Sequence, residues 1–161
     1  MAEFGKADPV EAATQTIRDY CGWHVAPVQE DTLTLDGTGT DTILLPSRLV
    51  VDVTSVKIRG EELPEASYEW STIGALRRLN GVWPNAYRSV EVTMEHGFTN
   101  MSVLADVVQS IAARVRMDPT GAVSLQRAGT QHVGFFKGQA GGGLMESEKE
   151  RLAPYVLNWG P

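Results

Sequence analysis

Hydrophobic residues recur along this chain at two spacings, one typical of helices and the other typical of strands. The first helical stretch places four residues on one face, at i, i+4, i+7 and i+8: Ala13, Ile17, Tyr20 and Cys21. Asp8 suits the helix N-cap, Pro9 suits the first helical position, and Gly22 suits the residue after the last turn. The pattern predicts a helix over residues 9–22.

Apolar and polar residues then alternate through residues 28–98, which is the period of half-buried strands. The apolar positions are odd-numbered in Val51-Asp52-Val53 and even-numbered in Val56-Lys57-Ile58, so we expect a bulge or bend at Thr54-Ser55. About six short strands, with turns roughly every 8–12 residues, predict a small antiparallel β-sandwich or barrel. Turns are expected at Gly37-Thr38-Gly39 and Arg59-Gly60-Glu61, and a hairpin turn at Asn80-Gly81.

The clearest helical pattern lies at residues 101–117, where six apolar residues follow the i, i+3, i+4, i+7, i+8, i+11 spacing: Leu104, Val107, Val108, Ile111, Ala112 and Val115. Residues 122–143 are expected to be extended or flexible, because they end in a glycine-rich stretch. Ser147 and Glu150 have the spacing of a capping box, which predicts a last helix from about 145–147. That helix should be short, since Pro154 disfavours helical geometry at Ala153.

These segments predict an α+β fold in a single subunit that spans residues 1–161. Three helices, at 9–22, 101–117 and 145–157, are expected to form a small helical bundle. An antiparallel β-sandwich or barrel-like domain, at about 28–98, would be inserted into it.

Composition narrows the function classes. The chain has 161 residues, 21% of them charged, and a net charge of −6. An acidic chain is a poor candidate for tight binding of nucleic acid, because that binding depends on neutralising phosphates. No apolar run approaches the length of a membrane span, and the N-terminus lacks the apolar core of a signal peptide. With one cysteine there is no internal disulfide, and we expect a protein made in a reducing cytoplasm.

Candidate catalytic residues are few. Cys21 and His24 are three residues apart, but a structural zinc site needs four ligands, and His96 and His132 stand alone. A catalytic cysteine needs an activating base, and a free cysteine on an apolar helix face is more often a packed core residue. A cysteine-dependent hydrolase that uses His96 or His132 as base stays open as an alternative.

Two further patterns do not indicate a phosphate-binding or catalytic site. The glycine-rich stretch 138–143 does not end in the Gly-Lys-Ser/Thr of a phosphate-binding loop. Glu91 and Glu95 lie on the polar side of an alternating strand, which is its solvated side. We expect no enzymatic activity, no metal and no cofactor.

The tryptophans allow a second class of function. Trp70 or Trp83 could serve as the platform of a small β-sandwich ligand-binding module. Trp159 lies near the C-terminus, where internal burial is difficult, so it is a better candidate for an interface.

Several stretches, taken in order, resemble a known family. They are IRDYCGWHVAP at 17–27, the β block, VLADVVQSIAARV at 103–115 and GLMESEKERLAPY at 143–155. In this order they resemble the head-to-tail connector (adaptor or head completion) proteins of tailed bacteriophages, especially those infecting actinobacteria. The chain departs from its relatives at Met145, where Ser or Thr is common, and in the terminal VLNWGP.

The resemblance implies a structural virion protein at the head–tail neck, assembled in the host cytoplasm. It implies a ring of about twelve copies beneath the portal protein, closed by head-to-tail contacts. The ring would extend the channel through which genomic DNA passes without sequence-specific binding, and would dock the next neck or tail protein. In relatives the C-terminal region engages the portal, which points here to Val133, Phe135, Phe136, Leu152, Tyr155, Leu157 and Trp159.

A neck stopper or tail-terminator protein is an alternative within the same class. Those proteins are mostly β, so three predicted helices argue against it. We also expect the isolated protein to be monomeric or only partly oligomeric, and the ring to close on a template.

Overall fold

A computed structural model describes residues 8–117, strands 125–128 and 131–134, and residues 143–158. The chain divides into two compact units. A helical unit contains Met1–Cys21 and Met101–Val156, and a β unit contains Gly22–Asn100 and Leu157–Pro161.

The helical unit contains α1 (Pro9–Cys21), α2 (Ser102–Met117) and α3 (Glu146–Leu152), and a 3₁₀ turn (Ala153–Tyr155) follows α3. A short antiparallel pair, β8 (Leu125–Ala128) and β9 (Gln131–Gly134), also belongs to it. α1 packs against α2. The buried residues follow the predicted helical spacing: Ala13, Ile17 and Cys21 on α1, and Val107, Val108, Ile111 and Ala112 on α2.

Seven short strands make up the sheets of the β unit. They are β1 (Gln29–Leu35), β2 (Thr42–Leu44), β3 (Val50–Ile58), β4 (Glu61–Glu62), β5 (Tyr68–Trp70), β6 (Ala75–Arg78) and β7 (Val90–His96). One sheet has the order β1-β7-β3-β4 and the other β2-β6-β5, and all neighbouring strands are antiparallel. The three helices and the antiparallel sheets confirm the α+β class.

One hydrophobic cluster draws on both sheets. Its buried members are Ile43, Leu45, Val50, Val53, Val56, Tyr68, Leu76, Trp83, Val90, Val92 and Met94. Closure of the two sheets into a sandwich or barrel stays a prediction.

Two local predictions in β3 are confirmed. Its pairing with β7 shifts register between Val50 and Asp52 and again between Val53 and Ser55. The second bulge lies at the predicted position, and Val53 and Val56 are both buried across it. At the end of the strand, Arg59 and Gly60 have φ of 51° and 87°. Two left-handed residues form the tight turn that leads into β4.

The predicted hairpin at Asn80-Gly81 is wrong. The strands before and after it, β6 and β7, lie in different sheets and do not pair. The chain is held there by other bonds, since the backbone N–H of Trp83 donates to the carbonyl of Thr40 at 2.7 Å. The stretch Gly37–Gly39 likewise does not return β1 onto β2, because these strands also belong to different sheets. Turn residues identify where strands end, whereas long-range pairing decides which strands meet.

Candidate interaction site at the C-terminal segment

The predicted interaction residues fall into three groups. Leu152 is fully buried, and Tyr155 and Leu157 are half-buried. Val133 lies on β9, and its side chain is outside the described part of the structure. Three more lie outside the described residues: Phe135, Phe136 and Trp159. Because it is buried, Leu152 holds α3 in the helical unit. A role for the seven residues in partner binding stays a prediction.

α3 begins at Glu146, within the predicted range, but its N-terminal cap differs from the predicted one. Met145 is the N-cap residue, and its backbone N–H donates to Glu148 Oε2 at 2.9 Å. This bond is the half of a capping box made by the acidic residue three positions into the helix. Ser147 and Glu150 lie within α3 and are exposed, so the predicted Ser147–Glu150 capping box is wrong.

Glu148 also joins α3 to α2. The guanidinium of Arg114 donates from Nη1 to Oε1 at 2.6 Å and from Nη2 to Oε2 at 2.8 Å. Nη2 also donates to the carbonyl of Gly143 at 2.8 Å. Glu148 is 6% exposed, so the pair is largely shielded from water and its hydrogen bonds are strong. The contact fixes the base of the C-terminal segment that carries Tyr155.

In the β unit, the stretch after α1 packs on the end of β7. The ring of His96 lies 6.2 Å from that of Trp23 and 5.6 Å from that of His24. Val25 is buried with φ of 68°, which is rare for a β-branched residue, and its carbonyl accepts from the N–H of Phe98 at 2.8 Å. This packing gives Trp23, His24 and Val25 of the IRDYCGWHVAP stretch a structural role.

His96 is buried and donates from Nε2 to Asp31 Oδ2 at 2.8 Å. This hydrogen bond is the main reason why the pKa of Asp31 lies below its ordinary value. Pairing between β1 and β7 places the two residues close together, although they are 65 positions apart in sequence. His96 therefore has a structural role, because its Nε2 joins β7 to β1 through Asp31.

The geometry gives little support to the catalytic and ligand-platform alternatives. Burial raises the pKa of Cys21 to about 11, so this residue is a thiol and a poor nucleophile at neutral pH. Within the described residues, no three His, Cys, Asp or Glu side chains are placed to hold a metal ion. Trp83 is fully buried in the core and cannot serve as an exposed platform, which corrects that interpretation. No helix in the described part of the chain has the length and apolarity needed to cross a membrane.

Residues 7–116 match the family model of the head completion protein. The chain belongs to the head completion protein family. This confirms the resemblance found in the sequence and gives the chain a structural role at the head–tail neck. The matched range contains α1, the strands β1 to β7 and nearly all of α2, and it stops before α3.

Two solved structures are similar to this head completion protein. One is the neck of a native GTA particle computed with C12 symmetry, with a TM-score of 0.63, 16% identity, and coverage of 95% of this chain and 84% of that one. The other is the neck of an empty GTA particle computed with C6 symmetry, with a TM-score of 0.61, 17% identity, and coverage of 95% and 80%. At these identities the similarity establishes the fold. No curated protein matches the chain significantly.

Proposed function

We propose that this head completion protein forms a ring of about twelve copies beneath the portal, extends the DNA channel and docks the next neck or tail protein. The observation that carries the proposal is the family match over residues 7–116. The fold similarity to a neck computed with C12 symmetry supports the ring and its copy number.

The portal contact is assigned to the C-terminal segment. Arg114 and Glu148 fix the base of this segment, and the buried side chain of Leu152 anchors it in the helical unit. In the same unit, Tyr155 keeps part of its surface open. A rigid base that presents a partly exposed aromatic side chain suits a docking contact, because little conformational entropy is lost on binding.

The acidic character of the chain suits a channel wall. With a net charge of −6, the protein has little capacity to neutralise phosphates, so DNA would pass without being held. The role needs no catalysis, no cofactor and no sequence-specific contact. The protein would assemble in the host cytoplasm and remain in the virion.

Co-expression with the portal protein of the same phage, followed by sedimentation and electron microscopy, tests the proposal. A ring stacked coaxially on the portal is the expected result. Two well-folded proteins that separate cleanly would overturn it and favour another neck component.

A pair of variants locates the contact. Tyr155→Ala should weaken portal binding at least tenfold, as expected for an aromatic at the centre of an interface. Glu150→Ala is the matched control, because Glu150 is an exposed residue of α3, and it should bind as the wild type does. Equal binding by all three proteins would place the portal contact elsewhere.

A further inference from the structure

A cleft in the β unit is lined mainly by residues of β3 and β5. At one end β3 is joined to the turn that follows β5, since the N–H of Val50 donates to the carbonyl of Thr72 at 2.8 Å. Beyond that bond, β5 pairs only with β6, and β3 pairs with β4 only at Lys57 and Ile58. The facing edges therefore lack a strand partner among the described residues. The cleft lies between them, lined by Asp52, Val53 and Thr54 on one side and by Tyr68, Glu69 and Trp70 on the other, with Glu65 beside them.

The carboxylates of this cleft outnumber its cations. Glu69 is paired with Arg77. One oxygen of Asp52 accepts from the N–H of Val53 at 2.8 Å, and Glu65 has no cationic partner in the described part of the chain. At least one negative charge in the cleft therefore has no counter-charge.

Tyr68 shows what the cleft is suited to bind. Tyr68 lines the cleft and is 7% exposed, yet its hydroxyl has no hydrogen-bond partner among the described residues. Burial, together with the charges of Glu65, Glu62 and Asp52, raises the pKa of the hydroxyl, so it stays neutral and offers oxygen lone pairs. Trp70, half-buried beside it, adds an aromatic ring. Carboxylates, a free phenol oxygen and an aromatic ring are together the groups that bind a planar guanidinium.

We propose that this cleft binds an arginine side chain contributed by a second copy of the chain. The chain offers such groups, because Arg59 and Arg88 are exposed and neither side chain has a partner within the described residues. A closed ring presents one such arginine to each cleft, which satisfies the requirement of a head-to-tail interface for two complementary surfaces. The source of the arginine rests on the proposed ring, whereas recognition of the guanidinium by the cleft does not.

Titration of the full chain with N-acetyl-arginine amide, followed by NMR, tests the recognition. The expected result is a saturable shift of the Trp70 indole signal and of the Tyr68 amide, with a dissociation constant on the order of millimolar. The citrulline analogue has the same shape without the charge, and should give no such shift. Absence of the shift, or equal shifts with both probes, would overturn the proposal.

Three variants keep the test specific to the cleft. Asp52→Asn with Glu65→Gln should weaken arginine binding at least tenfold, and Tyr68→Phe should weaken it several-fold. Asn can still accept the bond from Val53, and Glu65 is exposed, so the fold is retained. The matched control, Glu30→Gln with Glu61→Gln, removes two exposed charges outside the cleft and should bind as the wild type does. If the control is weakened as much as the cleft variant, net charge alone would explain binding and the cleft assignment would fail.

Electron microscopy of the ring identifies the source. Arginine density from the adjacent copy inside the cleft is the expected result, and Arg59→Gln with Arg88→Gln should lower the yield of rings without changing binding of the probe. An empty cleft, or one filled by another protein, would overturn the second copy as the source. Failure of any ring to form would count against the proposed function and against that source, while arginine recognition would stand or fall on the titration alone.

Discussion

Arg114 on α2 and Glu148 on α3 form a bidentate, largely buried ion pair, although they are 34 residues apart in sequence. The same carboxylate accepts the N–H of Met145 at the helix start. α3 has seven residues, which is too short for an isolated helix to be stable in water. Its stability therefore depends on this pair and on the burial of Leu144 and Leu152.

Replacing Glu148 should destabilise the helical unit. Glu148→Gln leaves the Arg114 guanidinium without its counter-charge and should cost about 3 kcal/mol. Urea unfolding followed by far-UV circular dichroism measures the loss. The control is Glu146→Gln, because Glu146 is exposed and pairs with Lys149 on the same helix, and its loss should be about 0.5 kcal/mol or less. Equal losses of unfolding free energy in the two variants would show that the buried pair stabilises the protein no more than the exposed pair does.

Acid should weaken the β unit through Asp31. The pKa of this residue is lowered in the folded state, so its ionised form favours folding. The contribution is fully present above the unfolded value, which is near 3.8, and is lost as the pH falls through the lowered pKa. In Asp31→Asn, urea midpoints should consequently fall less between neutral pH and pH values below about 4 than they do in the wild type. Glu30→Gln, at an exposed position on the same strand, should follow the wild-type curve, and an unchanged slope in Asp31→Asn would contradict the assignment.

Cys21 should react slowly with thiol reagents in the native protein. Its pKa of about 11, against an ordinary 9.0, lowers the thiolate fraction at pH 8 roughly 100-fold, and burial blocks access as well. Labelling with a chromogenic disulfide should be slow under native conditions and fast in urea. Rapid labelling of the native protein would reopen the nucleophile interpretation. Cys21→Ala should retain the fold and lose about 1 kcal/mol of packing energy.

Gly97 should tolerate no side chain. Its φ is +113°, and a Cβ there would lie 2.6 Å from the carbonyl oxygen of Pro27. Gly97→Ala should cost about 3 kcal/mol or more in thermal or urea unfolding. Gly81 has a similar φ of +104° and nothing within 4 Å, so Gly81→Ala isolates the backbone strain and should cost about 1 kcal/mol. The difference in free energy of unfolding between the two variants measures the clash. Similar losses of stability would argue against the close approach of Gly97 to the Pro27 carbonyl.

Local patterns in the sequence predicted the features that local physics controls. The apolar spacing of Val107, Val108 and Ile111 predicted the buried face of α2, and the change of parity at Thr54-Ser55 predicted the bulge in β3. The order of several stretches also indicates the resemblance to the family. The family model then confirmed it over residues 7–116.

Features that depend on distant residues were missed. His96 meets Asp31 and Arg114 meets Glu148 only after β1 has paired with β7 and α3 has docked on α2. For the same reason the hairpin that the sequence predicts at Asn80-Gly81 does not form, because a turn sequence carries no information about the partner of the next strand. A histidine and an acidic residue at facing strand positions, or an arginine late in an amphipathic helix, were the available signals, but many such pairs exist in any chain.

The bulges in β3 also affect how readily the free subunit can aggregate through its open strand edges. The first half of this strand is an open edge, and such edges recruit strands from other copies and start aggregation. Two bulges within a few residues break the even spacing of its N–H and C=O groups, and the facing edge, β5, is three residues long. Neither edge is therefore a good template for strand addition by further copies and for the aggregation that would follow. The same irregularities that shape the cleft thus also limit unwanted pairing between free subunits.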